Sequence, residues 1–204
     1  MNLDLTLYLV TEEAAPLETL LTIVEEAIEG GVTLVQLREK SSDGNVFYEK
    51  AKALKELLDR YDVPLIINDR VDVALAVSAA GVHIGQSDLP LHAVRNILPQ
   101  SMIVGVSVST VEEALLAEET GASYLGVGAA FPTGTKSDAK VLPAGILEEI
   151  TRSVSIPSVA IGGITLENIE SLWNTGIAGV AVVSALMQAE NPTQIAREFF
   201  SKQK

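Results

Sequence analysis

The chain contains no cysteine in its 204 residues. That removes thiol nucleophiles, zinc–thiolate sites and disulfides, and by itself says nothing about compartment. Basic side chains are scarce. There are 14 Lys and Arg against 27 Asp and Glu, a formal net charge of −13, whereas nonspecific nucleic-acid binding needs a basic face. No apolar run reaches the length of a membrane span. The N-terminal MNLDLTLYLV lacks the basic, apolar and small-residue succession of a signal peptide. These absences predict a soluble cytoplasmic protein with neither nucleic-acid nor membrane partners. Only two histidines and one tryptophan occur, and no Ser-His-Asp arrangement or His-rich metal spacing stands out. His83 reads as structural, His92 as a surface residue of a helix, and Trp173 as packing with Ile169 and Leu172.

What is present is an alternation of short β-rich runs with longer amphipathic ones. Strands are predicted at 5–10, 32–38, 63–68, 81–85, 102–108, 123–128, 156–161 and 178–183. Helices are predicted near 16–29, 44–60, 71–79, 89–97, 110–120, 143–152, 166–174 and 191–201. Thr110 with Glu113 reads as a capping box, and Asn191-Pro192 as a cap followed by proline in the first turn. Gly30-Gly31, Gly81, Gly121 and Gly176 read as helix-closing glycines. Acidic pairs such as Glu25-Glu26, Glu112-Glu113 and Glu118-Glu119 read as solvated helix faces. Eight βα units with no change of composition predict an α/β protein, a single-domain (β/α)8 TIM barrel over residues 1–204. The alternative is an open doubly wound sheet. Against it, the first βα turn, Leu9-Val10-Thr11-Glu12-Glu13, has no Gly-x-Gly-x-x-Gly loop.

In such barrels chemistry sits at the carboxyl ends of the strands. The second strand ends Gln36-Leu37-Arg38-Glu39-Lys40. Alternation puts Gln36, Arg38 and Lys40 on one face, and two cations converging there predict a polyanionic ligand. The third ends Asn68-Asp69 and the fourth is followed by Gln86-Ser87-Asp88. Each aspartate could simply cap the next helix. Together, on adjacent strand ends, Asp69 and Asp88 suit Mg²⁺, usually held by one or two carboxylates plus substrate phosphate oxygens. Gly105 and Ser107 share a face of the fifth strand and leave room at the barrel mouth. Ser107 can orient a polar group, and no Gly-x-Ser-x-Gly elbow makes it a nucleophile. The sixth strand leads into Phe131-Pro132-Thr133-Gly134-Thr135-Lys136, the start of the longest irregular segment, whose hydroxyls and lysine can hold an anion. The seventh ends Gly162-Gly163 and the eighth Val183-Ser184, a pattern common where barrels bind a phosphate. The inventory predicts two anion sites and no obvious general base.

These motifs together resemble the thiamine-phosphate synthase family. The resemblance runs nearly end to end: QLREK at 36–40, NDR at 68–70, GVHIGQSDLP at 81–90, GVSVST at 105–110, FPTGTK at 131–136, AIGGI at 160–164 and VVSA at 182–185. It implies a transferase of an alkyl group in thiamine biosynthesis. Such an enzyme condenses 4-amino-2-methyl-5-hydroxymethylpyrimidine diphosphate with a thiazole phosphate, releasing diphosphate by a Mg²⁺-assisted dissociative substitution. Gln36, Arg38, Lys40, Asn68 and Lys136 are implied at the pyrimidine diphosphate, with Leu37 and Glu39 in the same binding segment. Ser107 is implied at the pyrimidine amino group, and Asp69 and Asp88 at Mg²⁺. Thr133, Gly134 and Thr135 would line the thiazole phosphate site, with Gly163, Val183 and Ser184 receiving its phosphate. Arg38, Lys40, Ser107 and Lys136 are the implied catalytic residues. A homo-oligomer is compatible with this reading.

The chain departs from the family pattern where Ala129 and Ala130 follow Gly128 in place of Pro or His. It departs again where Ser87 replaces a commonly acidic neighbour of Asp88. A thiazole tautomerase-like paralogue on the same scaffold would resemble this chain, but such proteins typically lose the Pro-Thr-x-Thr-Lys loop and use a histidine nearby. A noncatalytic ligand-binding protein is the other class. Retention of both aspartates and of the cationic residues argues against it.

Overall fold

Eight short parallel strands hydrogen-bond in sequence order and close on themselves, β8 pairing with β1. The computed structural model describes residues 3–13, 15–134 and 140–202. The strands are β1 (Leu7–Val10), β2 (Leu34–Leu37), β3 (Leu65–Asn68), β4 (Gly81–Ile84), β5 (Ile103–Val108), β6 (Tyr124–Gly128), β7 (Ser158–Ile161) and β8 (Gly179–Val182). Around them lie α1 (Leu17–Glu29), α2 (Gly44–Asp59), α3 (Val71–Ala76), α4 (Leu91–Ile97), α5 (Val111–Glu119), α6 (Ile146–Ser153), a 3₁₀ helix (Ile169–Thr175), α7 (Ser184–Met187) and α8 (Pro192–Ser201). This is a TIM barrel. No helix among the described residues is long and apolar enough to cross a membrane.

Strand alternation divides the apolar residues between two cores. Outward-facing Leu7, Leu9, Val35, Leu37, Leu65 and Ile67 pack with the helices in one continuous cluster. Inward-facing Tyr8, Val10, Leu34, Ile66, Tyr124, Val159 and Ala181 fill the barrel itself. The helices carry the matching period. α1 buries Leu20, Val24 and Ala27, and α2 buries Phe47, Ala51, Leu54 and Leu58, one stripe each. Two expected caps form: Thr110 Oγ1 accepts from the Glu113 N–H, and Asn191 Oδ1 from the Gln194 N–H.

Several boundaries differ from the sequence reading. α4 starts at Leu91 because Pro90 occupies its N-cap in extended geometry. The seventh helix is a 3₁₀ turn beginning at Ile169, and an additional short helix, α7, follows β8 directly. Gly81 closes no helix, since α3 already ends at Ala76; it opens β4. There a Cβ would stand 2.3 Å from the Ile103 carbonyl oxygen of β5, so glycine permits the strands to meet. Gly31, Gly121 and Gly176 do follow helices with positive φ.

Candidate active site

The strand register determines which side chains meet at the carboxyl end. Gln36 pairs with Ile66, Asn68 with His83, His83 with Gly105, and Ser107 with Gly126. β2 stops at Leu37, so Arg38 and Lys40 belong to the loop beyond it rather than to an extended strand. That loop is held in place by its neighbours. The Arg38 N–H donates to Thr11 Oγ1 at 3.0 Å, and the Ser41 N–H donates to Glu13 Oε1 at 2.6 Å. The Ser41 contacts, with the nearby charge of Arg38 as a smaller cause, hold the Glu13 carboxyl below its ordinary pKa. The expected alternation persists in one respect: the side chains of Leu37 and Glu39 turn away from the mouth. Leu37 is buried among the helices, and Glu39 accepts from Lys50 Nζ of α2 at 2.6 Å. Only their backbone can serve a ligand in the mouth.

Lys40, Asp69 and Asp88 form the charged centre of the mouth. Lys40 Nζ makes an ion pair with Asp69 and lies 3.8 Å from Asp88 Oδ1. Neither aspartate caps a helix. α3 and α4 begin without a side-chain cap, and Asp88 Oδ2 instead accepts from the Gly85 N–H at 2.8 Å. Asp69 adopts φ of 60°, in the left-handed region that few non-glycine residues occupy and that Asp62 and Ser78 also adopt here. Burial raises its pKa; the Lys40 bond opposes that shift, and the neighbouring Asp88 adds to it. Two carboxylates sharing one ammonium are a donor set that a hard divalent cation fits, provided phosphate oxygens or waters complete its shell. No protein-only cluster of three or more such ligands exists among the described residues. The Arg38 guanidinium pairs with no described carboxylate. The buried Asn68 Nδ2 has no partner among the described residues.

The opposite side of the mouth is built by β6, β7 and β8. After β6 the chain continues beside β7: the Ala130 N–H donates to the Ile161 carbonyl at 2.9 Å, and the Phe131 N–H to that of Gly162 at 3.0 Å. Gly163, at φ 63°, would carry a Cβ 2.3 Å from the Pro132 carbonyl oxygen. Glycine is therefore required there by conformation and by space, and it brings the start of the loop bearing Thr133 and Gly134 against the end of β7. Ile161 pairs with Ala181, so Gly163 and Val183 stand two residues past the same rung on adjacent strands. Ser184 is exposed and opens α7. Thr135 and Lys136 lie outside the described residues.

The sequence reading missed what lies beneath the mouth. Gln36 is 4% exposed and its Nε2 donates to Tyr8 Oη at 2.6 Å, so it is not simply a free contact on the cationic row. Tyr8 and Tyr124 join hydroxyl to hydroxyl at 2.7 Å. Tyr124 Oη meets His83 Nδ1 at 2.9 Å, and His83 Nε2 meets Ser107 Oγ at 2.9 Å. The room that Gly105 leaves is filled by this chain: a Cβ there would sit 2.3 Å from the Tyr124 hydroxyl and 2.5 Å from His83 Nδ1. The only signal in the sequence was two tyrosines and a histidine at inward positions of apolar strands. Burial lowers the His83 pKa to about 4, with only a small opposing influence from Asp88, so the imidazole is neutral near pH 7.

Comparison with known proteins shows the family. The family model described as thiamine monophosphate synthase matches residues 7–186. A thiamine-phosphate synthase of Methanobrevibacter smithii is 51% identical over 202 residues, covering 99% of this chain and 96% of the relative. One from Clostridium tetani is 52% identical over 198 residues, covering 97% and 95%. Among solved structures, a thiamine phosphate pyrophosphorylase from Pyrococcus furiosus superimposes with a TM-score of 0.89 at 42% identity, covering 98% of this chain and 96% of that one. With its β1–β8 barrel and near-complete alignment to these relatives, the chain belongs to the thiamine monophosphate synthase family.

Proposed function

We propose that this enzyme condenses 4-amino-2-methyl-5-hydroxymethylpyrimidine diphosphate with thiazole phosphate to give thiamine phosphate and diphosphate. The observation that carries the reading is the arrangement around one mouth. Cations and carboxylates project from the ends of β2, β3 and β4, and a glycine and a serine lie at the ends of β7 and β8. The first group suits a leaving diphosphate and the second a substrate monophosphate, with the bond-forming atoms held between them.

Arg38 and Lys40 would receive negative charge as the carbon–oxygen bond to diphosphate breaks. Asp69 and Asp88 would hold Mg²⁺, which when bound supplies further charge neutralisation at the phosphate oxygens. The orphaned Asn68 amide gives a buried donor whose cost is recovered if it bonds to the diphosphate. Gln36 and Ser107 would orient the pyrimidine ring, and Thr133, Gly163, Val183 and Ser184 the thiazole phosphate. Thr135 and Lys136 belong to the same proposal. The thiazole nitrogen attacks with a lone pair it already has, so no general base is required. A cytoplasmic location suits two phosphorylated substrates that do not cross membranes unaided.

The test supplies both substrates with Mg²⁺ and measures thiamine phosphate and diphosphate together. Equal amounts of the two products are expected. No product at saturating substrates would sink the proposal.

A further inference from the structure

Four hydrogen bonds run unbroken through the barrel from Gln36 to Ser107, by way of Tyr8, Tyr124 and His83. Each bond needs one hydrogen. The three inner members supply one apiece: a phenol has one O–H, and a neutral imidazole has one N–H. Tyr8 and Tyr124 are 1% and 0% exposed, so no water stands ready to take or give a hydrogen midway. All three inner members are buried, and a charge inside a dry barrel is costly, which keeps each of them neutral and the count at three. The fourth hydrogen must come from one end only.

Two arrangements satisfy every link. In one, the Gln36 amide donates to Tyr8, the hydrogens point successively toward Ser107, and His83 carries its proton on Nε2. Gln36 then offers its oxygen to the mouth, and Ser107 offers its O–H. In the other, Ser107 donates to His83, whose proton lies on Nδ1, and Tyr8 donates to the Gln36 oxygen. Gln36 then offers its NH₂ to the mouth, and Ser107 offers only lone pairs. The structure as placed, with Gln36 Nε2 donating to Tyr8, corresponds to the first. Both leave one donor and one acceptor facing the ligand. Having two donors or two acceptors there breaks a link inside a dry barrel.

We propose that Tyr8, Tyr124 and His83 are positioning residues that lock Gln36 and Ser107 into opposite hydrogen-bond characters, selecting a ring that carries one donor and one acceptor. The proposal rests on the reading that Gln36 and Ser107 face the pyrimidine, whose amino group and ring nitrogens supply that pair. Gly105 and Gly126 are the steric counterpart. A Cβ at Gly105 would overlap the Tyr124–His83 bond, and one at Gly126 would stand 3.0 Å from the His83 ring. Two strands have given up side chains where this wire passes.

The test has a spectroscopic arm that needs no substrate and a kinetic arm that does. Imidazole ¹⁵N shifts of the ligand-free protein, with His92→Gln removing the other histidine, should show His83 as one neutral tautomer. Tyr8→Phe does not remove either hydrogen-bond partner of His83, yet it should convert that signal to a mixture. An unchanged His83 signal in Tyr8→Phe would overturn the coupling, whatever the enzyme makes. In the kinetic arm, Tyr8→Phe and Tyr124→Phe should each raise KM for the pyrimidine diphosphate about tenfold, the scale of one hydrogen bond, and leave KM for thiazole phosphate within about twofold. The double variant should be no worse than the weaker single variant, because a wire cut twice is still one broken wire. Multiplying costs, or equal losses for both substrates, would mean two separate packing roles and would overturn the proposal. Folding is checked in each variant by thermal unfolding. If product never forms with wild-type protein while the tautomer coupling is seen, the proposed reaction fails and the wire stands.

Discussion

The two ends of the barrel differ in what their polar side chains converge on. At the amino end, several close on backbone groups of neighbouring turns, beside an exposed ion pair between Arg60 and Glu25. Arg95 of α4 donates to the Gly121 and Met102 carbonyls at 2.8 Å each and to Ser123 Oγ at 3.0 Å, while Ser123 Oγ accepts from the Val104 N–H. Glu118 Oε1 of α5 accepts from the Ser155 and Ile156 N–H groups ahead of β7. At the carboxyl end, charges meet charges: Lys40 lies between Asp69 and Asp88, Asp69 occupies left-handed backbone, and Asn68 leaves a buried donor without a partner among the described residues. The first end spends its polar groups on joining the βα units. Left-handed non-glycine backbone occurs at both ends, at Asp62 and Ser78 as well as Asp69, and so does an unpartnered buried polar atom, Ser158 Oγ as well as Asn68 Nδ2. What sets the carboxyl end apart is two carboxylates gathered on one ammonium, an arrangement that a ligand can use. The difference assigns stability to one end and chemistry to the other, and mutation can separate them.

The largest expected effect is at Asp69. Asp69→Asn should lower kcat/KM by about a thousandfold or more, since it weakens the proposed metal pair, while the melting temperature stays level or rises because a half-buried carboxylate, disfavoured by burial and by Asp88, is neutralised. A parallel collapse in stability would erase the contrast between the ends. Next come Arg38 and Ser184, which divide the mouth. Arg38→Ala should cut kcat about a hundredfold, whereas Ser184→Ala should raise KM for thiazole phosphate about tenfold with kcat nearly unchanged. The reverse pattern in steady-state kinetics would mean that the two anion sites are exchanged.

Arg95→Met tests the other end. Losing bonds to two carbonyls should cost about 2 kcal/mol in urea unfolding, with the kinetics of the folded protein intact. The smallest effect is at Glu118. Its hydrogen bonds from Ser155 hold its pKa below the ordinary 4.5. A folded-state value below the unfolded one stabilises at neutral pH, and that contribution is lost as pH falls from about 4.5 through the folded value. Glu118→Gln should therefore flatten the acid side of the stability profile slightly and leave neutral-pH activity alone. An unaltered profile would remove Glu118 from the stabilising set.

Much of this was readable from local pattern. Strand alternation and helical period follow from side-chain geometry along a single segment, so the eight βα units, the Thr110 and Asn191 caps and the candidate residues at the strand ends could be named in advance. The segment 36–40 shows where that legibility ends. Alternation put Gln36, Arg38 and Lys40 on one face, but it could not show that the strand stops at Leu37, that the Glu39 side chain turns to Lys50, that Lys40 bridges the aspartates, or that Gln36 is tied to Tyr8.

The sequence by itself determined the order of elements, the two-sided apolar strands and the set of chemistry-bearing side chains, because each depends on neighbours within a turn or a strand. Only the tertiary structure decided that residues 8, 36, 83, 107 and 124 form one hydrogen-bonded line, and that Asp69 and Asp88 converge on Lys40 rather than capping helices. Those contacts depend on the stagger between strands when the sheet closes. No single segment encodes that stagger, since every rung of the barrel must satisfy it at once.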